Sequence, residues 1–209
     1  DDIIDVSELA SDVINIYPGN GNDIIINATS QHNIVASPGE DSISGKNTSY
    51  ALWQSRQNST VNLKEGWADD GFGYRDALSG VTTVHGSSNG HTIYGSEANE
   101  RFFANGGDNF FEGGGGADRI SYAGGNSEDY KITKVGDEFH IEKLNGFIKT
   151  LDKVKNVRFI EFMEDNKLID TNYEDAILKA ENIKIIYSFS DNTMAVSYTH
   201  LTLPTTEAV

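Results

Sequence analysis

The chain has 209 residues, with 16 lysines and arginines against 32 aspartates and glutamates, a formal charge of −16. That balance repels nucleic acid and anionic membrane surfaces and makes cations the natural partners. Cysteine is absent, which excludes disulfides and thiolate metal sites, and no apolar run reaches the length of a membrane span.

The chain opens at Asp1 without an initiator methionine or a charged-then-apolar leader, and is read as an internal piece of a longer protein. Glycine (21) far outnumbers proline (3), which suits many tight turns between strands. Residues 1–56 carry a nine-residue period. Pro18-Gly19-Asn20-Gly21-Asn22-Asp23-Ile24-Ile25-Ile26 follows the template G-G-x-G-x-D-x-U-x, with U a large apolar residue, apart from one substitution. The U position recurs at Ile16, Ile25, Ile34, Ile43 and Leu52. The Asp position reads Asp23, His32 and Asp41, while Pro18, Ser37 and Pro38 interrupt the glycines.

Residues 57–80 break the period. Thr60-Val61-Asn62-Leu63 predicts a strand, Gly66 to Tyr74 a loop, and Asp76-Ala77-Leu78-Ser79-Gly80 a return to register. Trp67, Asp69 and Asp70 read either as ligand contacts or as a solvated turn under an aromatic cover. The period resumes over 81–125, with Val84, Ile93, Phe102, Phe111 and Ile120 at the U position. Gly113-Gly114-Gly115-Gly116-Ala117-Asp118-Arg119-Ile120-Ser121 matches the template throughout. The Asp position here holds His91, Glu100, Asn109 and Asp118. His91, Asn109 and His32 carry no negative charge at neutral pH, so their turns are expected to be hydrogen-bonded rather than ion-binding. Phe102, Phe103, Phe110 and Phe111 are expected to be core and stacking residues.

From about residue 126 glycine fades. Tyr130-Lys131-Ile132-Thr133 and Phe139-His140-Ile141-Glu142 alternate around Gly136-Asp137, the pattern of a β-hairpin. Val157, Phe159 and Phe162 predict another strand, with Asp165-Asn166 turning into Leu168-Ile169. Residues 126–172 thus read as a small β-rich cap, which an array of stacked repeats needs at its open end. Within 173–195, Tyr173 to Asn182 has the spacing of a short helix. Residues 196–209 are similar to a translated sequencing adapter and are set aside as artefactual.

The two arrays resemble the RTX, or hemolysin-type calcium-binding, repeat family over roughly residues 12–52 and 80–125. The insert and the segment after the second array are also similar to stretches that accompany such repeats. The resemblance implies an all-β fold, a parallel β-roll or β-solenoid with a small β-rich C-terminal cap. Each repeat would be a six-residue turn and a three-residue strand, two repeats to a coil, which puts same-side turns 18 residues apart. Asp23 and Asp41 meet that separation, as do Glu100 and Asp118. Coils stack at about 4.8 Å, so their carboxylates would repel without a cation between them. Ca²⁺ fits, since it takes about six to eight oxygen ligands in forgiving geometry. Backbone carbonyls would complete the set, aimed inward by glycines with positive φ. The expected metal site comprises Gly19, Gly21, Asp23, Gly39, Asp41, Glu100, Gly114, Gly116 and Asp118. The same turns also occur in calcium-free β-helices and hairpins, and Glu100 reads equally either way.

The function implied is a calcium-binding module that folds on Ca²⁺ after export of a larger secreted bacterial protein. Its further partners would be a type I secretion machinery and, for an adhesin, a cell-surface or glycan ligand. H-E-x-x-H does not occur, and the histidines at 32, 85, 91, 140 and 200 lack metal-ligand spacing. The fragment is therefore read as non-catalytic. The alternative is a non-catalytic part of a secreted metalloprotease, lipase or sugar epimerase, or of an adhesin.

Overall fold

Short apolar runs separated by glycine-rich turns leave room only for short strands. The computed structural model describes residues 1–9, 13–145 and 149–173, and two short strands further on. Among the described residues helix is confined to two 3-10 turns, Ser127–Asp129 and Thr171–Tyr173, so the fold is nearly all β. The first array gives β1 (Ile3–Asp5), β2 (Ile14–Ile16), β3 (Ile24–Thr29), β4 (His32–Val35) and β5 (Ser42–Ala51). The insert gives β6 (Ser59–Asn62) and β7 (Trp67–Asp69), and β8 (Arg75–His85) leads out of it. The second array gives β9 (His91–Tyr94), β10 (Arg101–Ala104), β11 (Phe110–Glu112) and β12 (Arg119–Tyr122). Next come β13 (Tyr130–Val135), β14 (Glu138–Lys143), β15 (Leu151–Lys155), β16 (Phe159–Phe162) and β17 (Lys167–Asp170). Finally β18 (Ile186–Ser188) pairs antiparallel with β19 (Ala195–Ser197).

Strands β1 to β17 form one hydrogen-bonded network that runs as two rows. In the first row β1, β3 and the starts of β5 and β8 are parallel, which lines up Ile25, Ile43 and Leu78. Next to them β7 and β6 form an antiparallel meander, and β9, β11 and β15 then continue in parallel with β6. In the second row β2, β4, the ends of β5 and β8, β10, β12 and β16 are all parallel. Ile16, Ile34, Tyr50, Val84, Phe102, Ile120 and Ile160 lie in line there. The apolar lines of both rows belong to one buried cluster, and Phe102 stacks on Phe111 across it at 5.9 Å. Burying each such side chain contributes about 1.5–3 kcal/mol.

The U positions expected in the second array, Val84, Ile93, Phe102, Phe111 and Ile120, are all buried. Phe103 and Phe110 point away from them: Phe103 stacks on His85 at 4.4 Å and Phe110 meets Tyr94 edge-on at 6.0 Å. In the first array the fifth U position is filled by Tyr50 rather than Leu52. Strand β5 passes from one row to the other without a full turn, with register shifts between Ser44 and Ser49. That shortcut brings Tyr50 beside Ile34 and Val84. Leu52 is buried just beyond the strand, where its N–H donates to the His85 carbonyl at 2.8 Å.

The stretch Gly66 to Tyr74, expected as loop, contains β7. Val61 and Ala68 pair across the meander and are both buried. Asp70 then closes the turn: its Oδ1 accepts the N–H groups of Phe72 (2.7 Å), Gly73 (3.1 Å) and Tyr74 (3.1 Å). Asp70 is buried, not solvated. Trp67 lies under the Arg75 guanidinium at 4.0 Å, and Arg75 also pairs with Asp69 at 2.8 Å. The expected hairpin is β13–β14, joined through Gly136 at φ +65°. Strands β15 and β16 pair with β11 and β12, extending both rows, and β17 folds back on β16 through Asn166. The helix expected at Tyr173 to Asn182 lies outside the described residues, save that Tyr173 ends a 3-10 turn. The tail set aside at 196–209 also lies outside them, except Val196 and Ser197 in β19.

Candidate metal centre

Each strand of an array is entered through a turn whose last residue fills the Asp position. Parallel pairing brings these residues into columns along the two edges of the fold. On the edge of the first row, the Asp23 N–H donates to Asp41 Oδ1 at 2.9 Å, and the Asp41 N–H donates to Asp76 Oδ1 at 3.0 Å. The Asp2 N–H donates in the same way to Asp23 Oδ1 at 2.6 Å. On the edge of the second row the Glu100 N–H donates to Asp118 Oδ1 at 2.8 Å. The structure thus brings Asp23 together with Asp41, and Glu100 together with Asp118, but puts the two pairs on different edges.

One carboxylate oxygen of Asp23, Asp41, Asp76 and Asp118 is used by these bonds, and the remaining oxygens differ in their surroundings. Asp41 Oδ2 accepts from the Ser37 hydroxyl at 3.1 Å, and Asp76 Oδ2 from the Tyr50 hydroxyl at 2.5 Å. Asp23 Oδ2, Glu100 Oε2 and Asp118 Oδ2 are buried and accept no hydrogen bond from the described residues. The Ser96 N–H and hydroxyl both go to the other Glu100 oxygen, Oε1. Glu100 and Asp118 are 3% and 0% exposed, and no basic group among the described residues pairs with either. A buried carboxylate without a partner is costly unless a cation or a proton neutralises it. Burial, with Glu100 alongside, pushes the Asp118 carboxyl up to about 8. Burial likewise raises Asp41, takes Asp76 to about 7 and Asp152 to about 6.

The glycines open the space that these oxygens face. Gly19, Gly21, Gly39, Gly114 and Gly116 all adopt positive φ. At Gly39 (φ +146°) a Cβ would run into the Gly21 carbonyl, and at Gly116 (φ +84°) into the Ala98 carbonyl. Gly95 and Gly113, the first glycines of their repeats, matter as much. A Cβ on Gly95 would meet the Gly113 carbonyl and Glu100 Oε2, and one on Gly113 would meet the Asn156 carbonyl and Asp118 Oδ2. Glu100 Oε2 and Asp118 Oδ2 therefore lie beside main-chain carbonyls, and a hard cation such as Ca²⁺ fits that all-oxygen set. No group of three or more His, Cys, Asp or Glu residues placed to hold a metal occurs among the described residues. An ion here would rest on a pair of carboxylates plus carbonyl oxygens.

Three residues of the columns, Asp2, Asp76 and Asp152, escape a nine-residue count. Asp76 lies 35 residues after Asp41, and Asp152 lies 43 after Asn109, because other segments are looped out between them. The return to register at Asp76-Ala77-Leu78 was the one signal that could have found Asp76. The turns at the two histidine positions carry hydrogen bonds. His91 Nε2 accepts the Ser87 N–H at 2.8 Å, and burial lowers the ring to about 4, so it is neutral. His32 Nδ1 accepts the Thr29 N–H at 3.1 Å.

Residues 94–128 match the family model of the RTX calcium-binding nonapeptide repeat (4 copies). The match includes Glu100, Asn109 and Asp118. No curated protein matches the chain.

Proposed function

We propose that this chain is a calcium-folded β-roll module of a larger secreted bacterial protein, with no catalytic role of its own. The observation that carries this reading is the Glu100–Asp118 pair: two buried carboxylates on stacked turns, each with an oxygen that nothing among the described residues satisfies. The parallel pairing of residues 18 apart, as in Ile16 with Ile34 and Phe102 with Ile120, supports a roll of two repeats per coil. Asp23 and Asp41, with Gly19, Gly21 and Gly39, form the corresponding site in the first array, and Gly114 and Gly116 belong to the second. Residues 126–172 serve as the cap. Calcium is then part of the folding free energy. At cytosolic calcium the chain stays loose enough for a type I secretion machinery, and at about 10⁻³ M external calcium it folds, as weak extracellular calcium modules do.

Circular dichroism in chelator should show a largely disordered chain, and millimolar Ca²⁺ should produce β-signal that the same concentration of Mg²⁺ does not, because Mg²⁺ demands smaller octahedral sites. Full β-structure in chelator would defeat the proposal.

A further inference from the structure

The Asp position at residue 109 holds an asparagine, and its surroundings repeat those of the carboxylate pairs with one change. Asn109 stands over Asp152, since Phe110 pairs with Lys153. Its N–H donates to Asp152 Oδ1 at 3.0 Å, the same bond that links Glu100 to Asp118. Its Oδ1 accepts the His91 N–H at 2.9 Å, which fixes the orientation of the amide. The amide nitrogen Nδ2 then points into the turn. It donates to Asp152 Oδ1 at 2.8 Å, to the Gly106 carbonyl at 3.0 Å and more weakly to the Gly107 carbonyl at 3.4 Å. Asp152 Oδ2 accepts the Tyr122 hydroxyl at 2.8 Å. Asn109 and Asp152 are 4% and 3% exposed, yet neither keeps an unpartnered side-chain atom, whereas Glu100 and Asp118 keep one each.

We infer that the Asn109 amide stands in for a cation, bridging one carboxylate and two turn carbonyls, so that the gap between Asn109 and Asp152 takes no calcium. The inference rests on the reading that the Glu100–Asp118 gap does take one. The chemistry differs by a single charge: an amide brings its own positive hydrogens to the oxygens, and replacing the second carboxylate removes the repulsion an ion would have to offset. His91, the next residue along the column, brings no carboxylate either, and its Nδ1 is buried without a partner among the described residues. Its Nε2 is occupied by the Ser87 N–H, so its hydrogen is on Nδ1 and that nitrogen is no ligand. Calcium in the second array is thereby confined to the edge that carries Glu100 and Asp118.

The test is calcium stoichiometry of the whole chain by equilibrium dialysis, with folding followed by circular dichroism at saturating Ca²⁺. Asn109→Asp should bind one more ion than the wild type, because it restores a carboxylate pair with Asp152. Asn109→Ala should bind as many ions as the wild type but melt at a lower temperature. A folded Asn109→Asp with wild-type stoichiometry overturns the inference. So does an Asn109→Ala that loses an ion, since Asn109 Oδ1 would then be a ligand. Loss of the parent reading looks different: the wild type and Asp118→Asn would bind equal numbers of ions, while the difference between Asn109→Asp and the wild type would still be read.

Discussion

Protons should replace calcium in this fold, and Asp118 shows by how much. Its carboxyl is fully buried, and burial takes it from an ordinary 3.8 to about 8. A carboxyl raised on folding holds its proton better in the folded state, so folding takes up protons. Its stabilising contribution is complete below the ordinary value and is lost as pH rises through the folded one. Without calcium, lowering the pH from 8 to 5 should therefore favour folding. At roughly 1.4 kcal/mol per pH unit, that interval is worth at most about 4 kcal/mol for this one group, and about half of that once its coupling to Glu100 is allowed for. Asp76 and Asp152, raised to about 7 and about 6, act in the same direction at lower pH. The assay is far-ultraviolet circular dichroism with urea unfolding in calcium-free buffer at several pH values, on the wild type and on Asp118→Asn. The wild type should gain β-structure and stability as pH falls from 8 to 5, and its calcium midpoint should rise because protons compete for the same oxygens. Asp118→Asn, neutral at every pH, should be more stable than the wild type at pH 8 without calcium and should lose Asp118's share of this pH dependence, keeping that of Asp76 and Asp152. A calcium-free wild type equally disordered at pH 5 and pH 8, or a variant that follows the wild type throughout, would refute the reasoning.

Three further outcomes can be measured in saturating calcium. Gly39→Ala combines positive φ with a collision at the Gly21 carbonyl, so it should cost about 2 kcal/mol or more in urea unfolding. Phe102→Ala removes a fully buried ring from the line between Val84 and Ile120 and should cost about 3–5 kcal/mol, read as a lower melting temperature. Tyr50→Phe strips Asp76 Oδ2 of its hydroxyl donor inside the core; a loss of about 1–3 kcal/mol is expected at pH 8, shrinking at pH 5 as Asp76 protonates.

A good part of the fold is legible without coordinates. Nine-residue spacing picks out Ile16, Ile25, Ile34 and Ile43, and then Val84 to Ile120, because a repeat that buries one apolar residue per strand must place it at a constant interval. The pairs Asp23–Asp41 and Glu100–Asp118 follow from the same arithmetic. Tyr50 is not legible, since the shortcut of β5 between rows changes the count by two residues, and only the pairing with Ile34 and Val84 reveals it. Asp70, exposed by every local indication, is buried because the meander folds it inward to close the turn into β8.

What the sequence by itself determined is the set of intervals: where apolar residues, glycines and carboxylates recur, and hence which neighbours stack within an uninterrupted array. The tertiary structure decided which residues meet across interruptions, Asp41 with Asp76 and Asn109 with Asp152, and which buried oxygens are left for a cation. Local spacing is a property of the chain, whereas the partner of a side chain across a looped-out segment is settled by backbone pairing, which leaves no periodic trace.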